Sequence, residues 1–170
     1  MAYCLDSNTF IEAKNRYYAL DFCPAFWDWV DREAAATQLL CVRAIYDEIA
    51  DGKDDLAAWM KARNGDWLRK VDAEDTQQAF KQVVAHVESR RGHYTDAAIA
   101  RFMGRGDPWL TAYCLAHGHT LVTHERSQPE SKSSVKIPDV CKALGVATIT
   151  PFELLRALSA RFVLDGADAA

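Results

Sequence analysis

Residues 1–12 read M-A-Y-C-L-D-S-N-T-F-I-E. Tyr3, Cys4 and Leu5 form a short apolar run of β-forming residues, which predicts a buried strand. Asp6 follows at once, and Ser7, Asn8 and Thr9 lead into Phe10, Ile11 and Ala13, whose spacing predicts a helix. In an open α/β sheet, ligands bind beyond the carboxyl ends of the strands, where strand order reverses. A carboxylate at the tip of a first, central strand therefore stands where chemistry is expected. The alternative role for Asp6 or Ser7 is to cap the helix, accepting a hydrogen bond from one of its free N–H groups. The segment alone leaves both readings open.

Outward from this stretch, the chain alternates between the two periodicities. T-Q-L-L-C-V (Thr37 to Val42), Trp67 to Val71, H-T-L-V-T (His119 to Thr123) and Val146 to Ile149 predict further strands. Between them, helical spacing runs from Pro24 to about Ala36, from Arg43 to Ala50 and from Asp54 to about Asn64. Asp72 to Met103 predicts a helical pair broken at Arg91-Gly92-His93, with Phe80, Val83, Val84 and Val87 forming the inner stripe of its first member. Trp109 to His117 is helical, with Pro108 in the first turn, Asp107 expected as N-cap and Gly118 as C-cap. Pro138 to Leu144, closed by Gly145, and Pro151 to about Arg161 complete the set. Strands alternating with helices predict a three-layer α/β/α domain around a mostly parallel sheet. Its extent is read as residues 1–162, with 163–170 as a frayed tail.

At 170 residues the chain suffices for one such domain, and 49% apolar with 26% charged residues is a soluble, folded composition. No apolar run approaches the ~20 residues that span a bilayer, and no basic-then-apolar leader opens the chain, so a cytoplasmic protein with no membrane partner is expected. Cys4, Cys23, Cys41, Cys114 and Cys141 are dispersed, odd in number and without C-x-x-C spacing. They read as core residues rather than a disulfide framework or zinc knuckle. The net charge of −4 does not by itself announce nucleic acid.

Four acids fall at matching places in this alternation. Asp6 follows the first strand, Glu48 lies in the helix after the second, Asp107 opens the helix before H-T-L-V-T, and Glu125 follows that strand. With right-handed crossovers these positions share one edge of the sheet. Carboxylates gathered there repel and raise one another's pKa unless a cation compensates, and hard oxygen donors select Mg²⁺ or Mn²⁺ over zinc. Such a centre suits hydrolysis of a phosphodiester by a metal-activated water. Each acid also has a plain reading: Asp107 as an N-cap, Glu48 as a partner of Lys53 or Arg43 (with Asp47 the better surface candidate), Glu125 as a solvated strand end.

Several blocks resemble one known family. Y-C-L-D-S-N-T-F-I (Tyr3 to Ile11), V-R-A-I-Y-D-E-I-A-D-G (Val42 to Gly52), G-D-P-W-L-T-A-Y-C-L-A-H-G (Gly106 to Gly118), T-L-V-T-H-E (Thr120 to Glu125) and I-P-D-V-C-K-A-L-G-V (Ile137 to Val146) look like the successive blocks of PIN-domain nucleases. The resemblance is to the toxin halves of bacterial type II toxin–antitoxin pairs. It implies a PIN-like fold, a Mg²⁺- or Mn²⁺-dependent endoribonuclease, an RNA substrate and an antitoxin partner. It assigns Asp6, Glu48 and Asp107 to the metal site with Glu125 at the fourth acidic position, and Asn8 or Thr123 to a hydrogen bond with a coordinated water. Two departures stand out: Glu125 occupies a position where Asp or Asn is more usual, and the segment between Glu48 and Asp107 is long for a minimal toxin.

Phosphate contacts are expected from Arg43 and Arg126, with Arg16, Arg105, Lys132 and Lys136 as further candidates. His117, His119 and His124 do not share the spacing of a tetrahedral zinc site. Trp27, Trp29, Trp59, Trp67 and Trp109 read mainly as core, although aromatics near Trp27 and Trp59 suggest an exposed surface for homodimerisation. Two rival functions remain: a catalytically degenerate PIN fold binding RNA or protein, and a phosphotransferase with Asp6 as nucleophile. The second lacks the acid expected at Asn8.

Overall fold

A computed structural model describes residues 1–63 and 65–163. Five strands, β1 (Tyr3–Leu5), β2 (Leu39–Val42), β3 (Leu68–Arg69), β4 (Thr120–Val122) and β5 (Thr148–Ile149), form one sheet in the order β3-β2-β1-β4-β5. Every pairing among them is parallel, with Leu5 beside Val122 and Cys4 beside Leu40. β2 and β4 are buried along their whole length, as parallel strands covered on both faces must be.

The chain steps from β1 to β2 to β3 in one direction, then returns past β1 to β4 and β5. Right-handed crossovers therefore place α1 (Ser7–Glu12), α2 (Pro24–Ala35), α3 (Arg43–Ala50) and α4 (Asp55–Lys61) on one face. They place α5 (Glu74–Ser89), α6 (Asp96–Met103), α7 (Asp107–His117) and α8 (Ile137–Leu144) on the other, and α9 (Pro151–Ala157) follows β5. Consistent with this, α3 packs on α4 and α2 on β2, while α7 packs on α5, α8 and β4. The three-layer architecture is the one the sequence predicts. Strand order reverses between β1 and β4, so the carboxyl ends of those two strands mark the crevice where such sheets bind ligands.

Several local expectations need correction. Asp107 is not the N-cap of α7; Gly106 is, and the Asp107 side chain makes no capping bond. The helix that Phe10, Ile11 and Ala13 predict passes at Ala13 into a π-helical turn over Ala13–Tyr17. β2 begins at Leu39 rather than Thr37, and α9 ends at Ala157 rather than near Arg161. Phe22 nearby is exposed, whereas Trp27 and Trp59 themselves are buried. They pack with Phe10, Phe26, Trp29 and Trp67 into an aromatic core under α2 and α4. The expected C-caps Gly118 and Gly145 do adopt left-handed conformations, with φ of 64° and 76°, where a Cβ would be strained. Cys4, Cys41, Cys114 and Cys141 are buried thiols, and Cys23 is half-buried. Of the expected tail 163–170, residues 164–170 lie outside the described residues.

No helix among the described residues is long and apolar enough to cross a membrane.

Candidate active site

Asp6 is the first residue past β1, and its N–H still continues the ladder to the Val122 carbonyl (3.0 Å). The turn into α1 buries it completely. It occupies the N-cap position of α1, yet its carboxylate makes no capping bond. Instead Oδ2 accepts a hydrogen bond from the Thr123 hydroxyl (2.9 Å), and Oδ1 accepts a longer one from Ser7 (3.3 Å). Burial pushes the Asp6 carboxyl up to about 6, with the negative charge of Glu125 adding to the effect and the Thr123 hydroxyl opposing it.

Asp107 opens α7 with no hydrogen bond to its carboxylate among the described residues, so the capping role fails and a half-buried acid remains. Its carboxyl is pushed up to about 7, first by burial and then by the negative charges of Asp6, Glu48 and Glu125; Arg105 opposes the rise. Three other acids from β1, α3 and β4 thus act on this one side chain.

Glu48 projects from α3 and accepts a 2.7 Å hydrogen bond at Oε1 from the Gly106 N–H. That bond ties α3 to the start of α7 and leaves Oε2 free. Gly106 is required for this approach: a Cβ there would lie 2.7 Å from Ile45 Cδ1 and 3.2 Å from the Ala44 carbonyl carbon. The surface-partner reading of Glu48 does not hold, because Arg43 pairs with Asp47 instead (2.8 Å).

Glu125 is half-buried, and both its oxygens have partners. Oε2 accepts a hydrogen bond from the Ile137 N–H (2.9 Å) at the start of α8, and Oε1 accepts one from Lys136 Nζ (3.4 Å). The extra methylene of Glu over Asp gives it the reach to α8, so the acid closes the 126–136 segment on itself. Thr123 links the two ends of the site: its hydroxyl donates to Asp6 and accepts from the Glu125 N–H (3.0 Å). Its one proton is committed to Asp6. Asn8 lies half-buried in the first turn of α1.

The four acids thus lie toward the carboxyl edge of the sheet, near enough for Asp6, Glu48 and Glu125 to act on Asp107. In the side-chain positions described, no three His, Cys, Asp or Glu residues come together at metal-ligand distance. The donor chemistry nonetheless fits a hard divalent cation. Asp6 is buried and Asp107 half-buried, neither forms an ion pair among the described residues, and burial first and neighbouring carboxylates next raise both carboxyls.

The cations sort into two groups. Arg43, Arg16 and Lys136 are committed to Asp47, Glu12 and Glu125. Arg105, Arg126 and Lys132 have no ion pair among the described residues. Arg105 lines a small hollow with Asp107, Glu125, Ser134 and Arg101. Arg101 escaped the sequence reading, although its i, i+4 spacing to Arg105 just before Asp107 was the available signal. Another hollow, of about 360 Å³, that includes His86, Arg90, Tyr94 and Lys142 contains none of the four acids. The three histidines do not form a site: His117 and His119 lie near one another, and His124 stacks on Tyr17.

A family model matches residues 3–162, nearly the whole chain. The chain belongs to this family, DUF4411, described as a domain of unknown function. No curated protein sequence matches this DUF4411 chain. Among solved structures it is similar to a chain of VapBC2 from Rickettsia felis bound to a DNA fragment from its promoter, at 13% identity, covering 88% of this chain and 98% of that one, with a TM-score of 0.53. A chain of FitAcB from Neisseria gonorrhoeae matches at 13% identity over 88% and 98% of the two chains, with a TM-score of 0.45. The likeness to VapBC2 and the parallel 3-2-1-4-5 sheet establish a PIN-like fold for this DUF4411 chain.

Proposed function

We propose that this DUF4411 protein is a Mg²⁺- or Mn²⁺-dependent endoribonuclease and the toxin half of a toxin–antitoxin pair. The observation that carries the reading is the gathering of carboxylates around Asp107, which burial first and then Asp6, Glu48 and Glu125 push up to about 7. Support also comes from the resemblance of the acid-bearing blocks to PIN-domain toxins and from the fold shared with a VapBC2 chain.

In this reading Asp6, Glu48 and Asp107 hold the cation, with Glu125 as the fourth acid. A bound Mg²⁺ or Mn²⁺ supplies a water of lowered pKa and a positive charge for the phosphodiester. The chain's own groups do the rest. Thr123 and Ser7 orient the Asp6 carboxylate through their hydroxyls. The Gly106 N–H fixes Glu48 and brings α7, with Asp107, against α3. Arg101 and Arg105 face the same hollow as Asp107 and position the phosphate backbone. Asn8, half-buried in the first turn of α1, would supply a hydrogen bond to a metal-bound water. Arg126 offers a further exposed phosphate contact, whereas Arg43 is drawn aside by Asp47.

The test is purified protein with Mn²⁺ on single-stranded and structured RNA, beside Asp6→Asn and Asp107→Asn. Metal-dependent cleavage lost in both variants supports the proposal; cleavage that persists in both refutes it. Calorimetric titration with Mn²⁺ separates the enzyme from a degenerate binding module, because a module binds no ion at millimolar concentration.

A further inference from the structure

We propose that Tyr17, His124 and Phe152 form a stacking shelf that receives an unpaired base of single-stranded RNA beside the acid site, an inference that rests on the RNA-binding part of the proposed function. The five tryptophans do not serve this purpose. Trp27, Trp29, Trp59 and Trp67 are buried, and Trp109 is stacked on Phe80 at 3.7 Å between centroids.

The exposed rings lie elsewhere. Tyr17 is 42% exposed and Phe152 39% exposed, and Phe22, more exposed still, stands apart from them. They come together from separate elements: Tyr17 from the π turn after α1, His124 from the end of β4, and Phe152 from the first turn of α9. Tyr17 stacks on His124 at 5.9 Å with 19° between planes, and meets Phe152 edge-on at 5.4 Å. His124 and Phe152 are 6.1 Å apart and also edge-on.

Two stretches of chain join this group to the segments that carry the acids. His124 stands between Thr123, which holds Asp6, and Glu125; the helix that begins after Asp6 runs directly into the π turn that carries Tyr17. The π turn decides which way Tyr17 faces. The Tyr18 N–H donates to the Ala13 carbonyl (2.6 Å), five residues back, and the Tyr18 carbonyl accepts from Trp27 Nε1 (2.7 Å). Tyr18 is thereby stacked inward on Phe26 at 4.4 Å, while Tyr17 is turned to the opposite side, onto His124. Inserted π turns recur at functional positions for this kind of re-aiming.

The chemistry of the shelf selects its occupant. Flat π faces with polar edges, left partly open, match a nucleobase better than an aliphatic side chain. Arg126, two residues past His124, is exposed and has no ion pair among the described residues, so a phosphate can follow the base. Only an unstacked base can present its face to such a ring, which makes the preferred substrate single-stranded.

The experiment is fluorescence anisotropy of the full chain, in the absence of cleaving metal, with labelled oligouridylate, the same strand bearing one abasic position, and a blunt duplex of equal length. Tyr17→Ala and Phe152→Ala are each expected to weaken binding of the single strand about tenfold and to leave duplex binding unchanged, with Tyr17→Phe close to wild type. The abasic position is expected to weaken wild type and to matter less in Tyr17→Ala. Unchanged single-strand binding in both folded alanine variants overturns the shelf. So does a loss of binding that tracks dissociation of a dimer in sedimentation, which would assign the rings to a second copy of the chain. Wild type that binds no RNA overturns the shelf and the RNA reading together. Shelf-dependent binding without Mn²⁺-dependent cleavage supports the shelf and refutes only the nuclease.

Discussion

Replacing Asp107 by Asn changes little volume and removes one charge from a cluster whose Asp6 and Asp107 carboxylates have no ion pair among the described residues. Asp107 sits at about 7 against an ordinary 3.8. At about 1.4 kcal/mol per tenfold in proton affinity, ionising it in the fold costs ~4 kcal/mol more than in the unfolded chain. Partial exposure and relaxation reduce the measurable figure to about 2–4 kcal/mol. The sign follows from a folded pKa above the unfolded one: the stabilisation is fully present below about pH 4 and is lost as pH rises through about 7. Asp6, at about 6, acts in the same direction. His86, His119 and His124, held low by burial, act in the opposite direction, but they are common to both proteins and cancel in the difference. In urea unfolding with EDTA, Asp107→Asn is therefore expected to be more stable than wild type by about 2–4 kcal/mol at pH 8, by about 1 kcal/mol or less near pH 4.5, and nearly equal to it below about pH 3.5. Millimolar Mn²⁺ at pH 8 restores wild type toward the variant if the acids hold the ion. Parallel stability curves for the two proteins from pH 4.5 to 8 would show that Asp107 carries no such charge burden, and the clustering on which the site rests would be refuted.

Thr123→Val removes the hydroxyl that donates to Asp6 and accepts from the Glu125 N–H; equilibrium unfolding should show a loss of about 1–3 kcal/mol, with Thr123→Ser close to wild type. Gly106→Ala forces a methyl against Ile45 Cδ1 and the Ala44 backbone. It should cost about 1–3 kcal/mol and lower cleavage through Glu48, with Ile45→Val restoring part of the stability because the backbone contact remains. Glu125→Gln retains an acceptor for the Ile137 N–H, so its melting temperature should stay near wild type and its Mn²⁺ affinity by calorimetry should fall less than that of Asp107→Asn. Equal losses in the two would make Glu125 a full ligand. Arg105→Ala should raise KM for RNA with little change in kcat, and a pure kcat defect would place Arg105 in the chemical step instead.

The sequence by itself determined the class of fold and the positions of the acids along the chain. Leu-Leu-Cys-Val and Thr-Leu-Val are buried on both faces, and that pattern is readable because strand periodicity and apolar content are local properties of a few residues. The placement of Asp6 and Glu125 at strand ends follows from the same local reading. What each carboxylate touches was decided only in three dimensions. The Thr123 hydroxyl reaches Asp6 across 117 positions, and the Gly106 N–H reaches Glu48 across 58; nothing local encodes such a bond. Asp107 reads as a cap next to Pro108, yet the helix begins one residue earlier and Gly106 takes the cap, leaving the carboxylate half-buried among other acids. Likewise Trp27 and Trp59 are buried by packing, while Phe22 and, at the end of a π turn, Tyr17 stay exposed. Periodicity fixes which residues belong to a helix or a strand. The side on which a ring or a charge finally lies depends on which distant segments pack against it, and that is set by the whole sheet and its crossovers.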